Sequence, residues 1–120
     1  MNIKLRPSDI ICSRYYRKLV GHCEKCGRKG CGKEGIEGLQ VSHFYGRRNE
    51  STRYLRLNLD ILCFFCHQYF EERPREYNEW KLKKIGEKAM KELDLAVNTY
   101  QKRDDKLSVL YFKNLMKELN

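Results

Sequence analysis

The residues of this chain with the clearest chemistry are its cysteines. Cys23-Glu24-Lys25-Cys26 and Cys63-Phe64-Phe65-Cys66 form two matching pairs, with two residues inside each pair and 36 residues between them. Two thiolates at this spacing can chelate one ion from a tight turn, and two such turns complete a tetrahedral four-sulfur shell. Zinc suits the site, because it is soft enough for sulfur and brings no redox chemistry. With all four positions filled by protein, the ion is expected to be structural. A disulfide framework is disfavoured because nothing signals secretion, and a redox pair has no need of a second matching pair. Lys25, Arg28 and Lys29 flank the first pair and would offset part of the charge of a four-thiolate zinc. Cys31, in a Gly-rich loop, reads as a free thiol that could substitute for a neighbour, and Cys12 as a small packed side chain.

Between the pairs lie two histidines, an asparagine and several arginines. The chain runs Val41-Ser42-His43-Phe44-Tyr45-Gly46-Arg47-Arg48, then Thr52-Arg53-Tyr54-Leu55-Arg56-Leu57-Asn58, and reaches His67 directly after Cys66. Leu39 to Phe44 alternates and predicts a short strand ending near His43, and Arg53 to Leu59 is read as the return strand carrying Asn58. Cys63 to about Glu72 is read as a helix that the Pro74 region breaks. Two strands and a helix, clamped by zinc, would bring His43, Asn58 and His67 to one cleft. Arg47, Arg48, Arg53 and Arg56 are candidate phosphate contacts, since a guanidinium makes paired hydrogen bonds to phosphate oxygens. Taken singly, His43 would read as a packed strand histidine, Asn58 as a turn cap and His22 as a structural neighbour of Cys23.

Around this segment the chain reads as helix. Pro7-Ser8-Asp9 starts one that carries Ile11, Cys12, Tyr15, Tyr16, Leu19 and Val20 at helical spacing and stops at Gly21. Over 75–100, Trp80, Ile85, Ala89, Leu93, Ala96 and Val97 form an apolar stripe. Asp104-Asp105 is placed to cap a last helix carrying Leu107, Leu110, Tyr111, Leu115 and Leu119. The division expected is a zinc-bound core with its N-terminal helix over 1–74 and a helical extension over 75–120 in the same compact unit. The last stripes exceed what so small a core need cover, which leaves room for a homodimer contact.

Together the four cysteines and the His43, Asn58, His67 triad resemble the HNH (ββα-metal) nuclease family, in its zinc-bearing treble-clef branch, over about residues 22–70. The wider order of Ser-His-Phe, an arginine loop, a Thr-Arg segment, a Cys-x-x-Cys close and a helical tail is similar to the phage NinG (Rap) recombination endonucleases. The resemblance implies an α+β fold, a zinc-stabilised ββα-metal core with an N-terminal helix and C-terminal helices. It implies a metal-dependent endonuclease that hydrolyses phosphodiesters, selective for branched DNA such as Holliday junctions. His43 would be the general base, His67 a ligand of a catalytic Mg²⁺ or Mn²⁺, and Asn58 the residue that pins the loop and orients His43. One departure stands out. Many HNH enzymes carry an acidic metal ligand just before the first histidine, where this chain has Ser42; Asp60 is a candidate replacement.

Composition agrees with a polyanion partner. The 120 residues carry 25 Lys+Arg against 16 Asp+Glu, a net +9. The excess is uneven: residues 1–60 hold 13 basic and 6 acidic side chains. That length supports one compact domain and is too short for a two-domain cofactor enzyme. No stretch approaches the roughly 18 apolar residues of a membrane span, and the start lacks the apolar run of a secretion signal. The expectation is a soluble cytoplasmic protein, in the host cell if phage-encoded, with DNA as partner and no membrane. The competing reading is a non-catalytic zinc treble-clef module that binds DNA or protein.

Overall fold

The computed structural model describes residues 4–29 and 38–119. Among them are four helices and a two-stranded antiparallel sheet, a small α+β arrangement. Cys31 lies outside the described residues.

Helix α1 spans Pro7–Val20. Proline opens it where a missing N–H costs nothing, and the Asp9 carboxylate accepts the Arg6 N–H at 2.7 Å to close the first turn. Gly21 ends it in the left-handed region (φ 78°), where its N–H reaches Arg17 O at 2.8 Å. Cys12 and Tyr16 face inward, whereas Leu19 stays 47% exposed.

Strand β1 spans Leu39–His43 and β2 spans Leu59–Cys63. The register pairs Leu39 with Cys63, Val41 with Ile61, Ser42 with Asp60 and His43 with Leu59. The return strand is therefore later than the expected Arg53–Leu59. Residues 49–55 instead close successive turns, with Thr52 N donating to Asn49 O and Leu55 N to Thr52 O. A 3₁₀ turn, Arg56–Asn58, then delivers Asn58 to the start of β2. Every residue of β2 is buried, so it shows no alternation of apolar and polar side chains. Burial on both faces hid it from a period-2 reading.

Helix α2 spans Phe64–Glu72, with Cys63 as its N-cap, and α3 spans Pro74–Val97. Gly86 interrupts α3 with φ 84° and ψ 166°, values outside the helical region. That break explains why the expected α3 stripe is not one buried face: only Leu93 of its members is fully buried. The first half of α3 instead sends Lys81 inward to Asp60 at 2.8 Å, with both side chains at 0% exposure. Tyr77 and Lys84 also hydrogen-bond the Asp60 carboxylate, and Ser42 Oγ meets Tyr77 Oη at 2.9 Å. Two lysines and a phenol thus compensate the buried carboxylate.

Helix α4 spans Asp105–Leu119 and packs on α1. Asp104 Oδ1 accepts the Leu107 N–H at 3.0 Å, the expected cap. The buried anchor of α4 is Phe112, which packs within 6.0 Å of the rings of Tyr15, Tyr16 and Tyr54. Most of the remaining stripe is left uncovered by the core: Leu107, Leu110 and Tyr111 are exposed. Burial here follows the aromatic socket that α1 and Tyr54 provide, a long-range feature that periodicity does not reveal. No helix among the described residues is long and apolar enough to cross a membrane.

Candidate metal centre and catalytic site

Four sulfurs converge where β2 passes into α2. The Sγ atoms of Cys23, Cys26, Cys63 and Cys66 all lie within 4.8 Å of one another, and Cys26 and Cys63 are 3.8 Å apart. This cluster could hold a metal ion such as zinc: the donors are all soft, the count is four, and the separations suit one tetrahedral ion. The first turn is built for it. Cys23 N donates to Arg28 O at 2.7 Å, Gly27 N to Cys23 O at 2.9 Å, and Cys26 N points at Cys23 Sγ at 3.5 Å. Gly27 supplies the left-handed φ of 81° that this turn needs.

Burial raises the Cys23 thiol, but the N–H groups of Cys26, Cys63 and Lys25 outweigh it and leave Cys23 below its ordinary value. Burial holds Cys66 above its own. Glu24 docks the turn onto β2, its N–H donating to Ile61 O and its carboxylate accepting Ile61 N–H at 2.9 Å. Lys84 and Arg56 pair with the same carboxylate at 3.0 and 3.2 Å.

His43 ends β1, and the loop after it is tied down by Asn58. Asn58 Oδ1 accepts Tyr45 N–H at 2.7 Å and Nδ2 donates to Tyr45 O at 2.9 Å; Phe44 N–H reaches Asn58 O at 2.9 Å. Asn58 is fully buried, so these bonds form away from water. Its amide is a two-point clamp on the residue two positions after His43. Replacing it leaves a part-buried N–H and C=O of Tyr45 without these partners, each costing about 1–3 kcal/mol. Asn58→Ala is therefore expected to lose about 2–4 kcal/mol of stability in urea titration, and Asn58→Asp to recover only part, because a carboxylate repels Tyr45 O.

The His43 ring lies among Arg47, Arg53 and Asp9. Desolvation first, then the Arg47 charge, pushes its pKa down to about 4, so it stands as neutral imidazole at cellular pH. His67 lies one residue beyond Cys66 on α2, with Nδ1 3.7 Å from the Glu71 carboxylate one turn later. Among the described interactions, His43 and His67 share no partner.

The four arginines divide. Arg53 is 2% exposed and bidentate to Asp9 at 2.8 and 2.6 Å, with a further bond to Arg47 O. Burial opposes ionisation of Asp9, and the Arg53 guanidinium outweighs it, holding the carboxyl below its usual range. Arg56 holds Glu24 and Leu59 O and lies over the Tyr16 ring. Arg53, expected to reach phosphate, is committed to the interior, and Arg56 mainly docks the first zinc turn. Arg48 is exposed. Arg47 Nε is buried and finds no hydrogen-bond partner among the described residues. Asp9, 44 residues from Arg53, is the site-shaping residue that local sequence gave no signal for.

Neither Ser42 nor Asp60, the candidate replacement for the acidic ligand the resemblance leads one to expect, is without partners. The Ser42 hydroxyl bonds Tyr77, and Asp60 is enclosed by Tyr77, Lys81 and Lys84. A surface groove of about 730 Å³ is lined by Tyr16, Tyr54, Arg56, Arg103, Leu107 and Phe112 among others, and includes none of His43, Asn58 or His67. Comparison with known proteins finds no matching family model, no matching curated protein and no matching solved structure.

Proposed function

We propose that the protein is a zinc-stabilised, metal-dependent DNA endonuclease of HNH type, selective for branched DNA. The observation that carries this reading is the clamp of Asn58 on Tyr45, which fixes the end of β1, and with it His43, on the strand paired with the one that leads into the four-sulfur cluster. An asparagine engaged on both sides by backbone serves the positioning role that the resemblance gives it.

Hydrolysis of a phosphodiester needs a base for the attacking water, charge neutralisation on the phosphate, and help for the departing 3′ oxygen. His43 is the base. Its low pKa keeps the ring free to accept a proton, and a docked phosphate, being anionic, raises that pKa toward neutrality. Arg47, whose charge acts on His43, would hold the phosphate through its guanidinium, and exposed Arg48 would extend the contact. A hard divalent ion, Mg²⁺ or Mn²⁺, would neutralise the phosphate and the leaving oxygen. His67, with Glu71 as its neighbour, is the protein's candidate donor set. One imidazole and one carboxylate are few ligands, so DNA oxygens and water complete the shell, and the ion binds weakly until DNA is present.

The engagement of Ser42 and Asp60 favours the second reading, a zinc module that binds DNA without cutting it. The two readings part in one assay. Zinc-loaded protein is mixed with labelled four-way junction, flap and blunt duplex, with Mg²⁺ or Mn²⁺. The expected result is metal-dependent cutting, fastest on the junction. Absence of cutting on every substrate would leave the binding module standing.

A further inference from the structure

The turn between Cys63 and Cys66 carries two side chains that neither zinc binding nor core packing explains. Phe64 is 52% exposed and Phe65 is 62% exposed, with their rings edge-to-face at 5.7 Å. Ligation needs only the two flanking thiolates, so small polar residues would serve the turn equally well. The neighbouring aromatics are used differently. Phe70 is buried and stacks on Tyr77, and Tyr69 lies beneath Lys25 and Arg73. Leu107, Leu110 and Tyr111 are exposed to a similar degree, but Phe64 and Phe65 are distinguished by standing between two of the four clustered cysteines with their rings in edge-to-face contact.

The charge around them narrows its chemistry. Cys63 Sγ lies 3.8 Å from Cys26 Sγ, so the second metal turn abuts the first, in which Lys25, Arg28 and Lys29 are exposed. Apolar rings on one cysteine turn and exposed cations on the other suit a strand that alternates flat bases with phosphates. A regular duplex hides its base faces, whereas single strands and branch points offer them.

We infer that Phe64 and Phe65 form a stacking platform for unpaired DNA bases, with Arg28 and Lys29 neutralising the adjoining phosphates. The inference rests on the proposed choice of DNA as partner and is independent of cutting. It gives the chain a physical means of preferring branched substrates over uniform duplex.

The test is binding by full-length, zinc-loaded protein without added Mg²⁺ or Mn²⁺. The probes are a labelled polythymidine strand, a four-way junction with a fluorescent adenine analogue at its branch point, and a blunt duplex. The double variant Phe64→Ala/Phe65→Ala is expected to lose about tenfold or more in affinity for strand and junction, and less than about twofold for duplex. Phe64→Trp/Phe65→Trp should restore binding, and its indole emission should be quenched by the strand. Arg28→Ala/Lys29→Ala should instead flatten the salt dependence by about one to two counterions. Unchanged strand affinity in the alanine variant would overturn the platform, as would an equal loss on blunt duplex. If the alanine variant binds less zinc than the parent, the quenching measurement decides: an unquenched indole removes the proposal. Cutting that survives while stacking fails would leave the nuclease reading intact.

Discussion

Cys63→Ser is expected to leave the protein without bound metal and without a cooperative fold. Cys63 is 1% exposed, pairs with Leu39, ends β2 and caps α2, so one residue joins the sheet, the helix and the sulfur cluster. A serine oxygen is a poor zinc ligand, and the three remaining thiolates cannot close a tetrahedral shell. The loss is large because little else holds this region together. A two-stranded sheet is marginal on its own, and structural zinc contributes roughly 10–16 kcal/mol of apparent binding energy in small metal-bound folds. The check is metal analysis together with thermal unfolding followed by circular dichroism. Cys12→Ser is the control: Cys12 is equally buried but lies outside the cluster, so the cost there is about 1–3 kcal/mol and zinc is retained. Full zinc content and an unshifted Tm in Cys63→Ser would show that the four sulfurs do not carry the fold.

The contrast between these two cysteines shows what the sequence makes legible. Paired thiols at fixed spacing report their own convergence, because metal geometry constrains them wherever the chain wanders between. Helix boundaries were legible for the same reason: Pro7, Gly21, Pro74 and Asp104 act through their immediate neighbours. The strand that carries the metal turn was not. Leu59–Cys63 is covered on both faces, and its single charge, Asp60, is balanced by Lys81 and Lys84 from a helix far along the chain. The arginines divide on the same principle. Arg53 looks like a surface cation beside Arg47 and Arg48 until Asp9 is brought under it by the packing of α1. Local pattern finds groups whose partners are near in sequence or fixed by an ion, and misses those whose partners arrive through tertiary packing.

His43→Ala is expected to reduce junction cutting by about a hundredfold to ten-thousandfold, the usual worth of a positioned general base, while junction affinity stays within about twofold. The second half of this expectation distinguishes a catalytic role from a structural one. His43 is only partly buried and pairs with Leu59 at the end of the sheet, and the clamp on the following loop belongs to Asn58, so the fold does not depend on the ring.

A pH argument gives an independent readout. Unfolded, the ring binds a proton near pH 6.5; folded, desolvation and Arg47 hold its pKa near 4. Between those values the unfolded chain binds more protons, so His43 lowers stability as pH falls from about 6.5 toward 4 and has no such effect above that window. The variant should therefore lose activity at neutral pH and yet fall less steeply in stability than the parent under acid, measured by urea titration at each pH. Any zinc held by the four cysteines would be released in acid from both proteins alike, so that contribution cancels in the difference. Cutting by His43→Ala at the parent rate would remove the base from the mechanism; identical acid slopes would place the ring in water instead of beside Arg47. A histidine held neutral by desolvation and a nearby arginine carries a folding cost in mild acid, and that cost is reasonable where the cation and the uncharged imidazole are both needed at one phosphate.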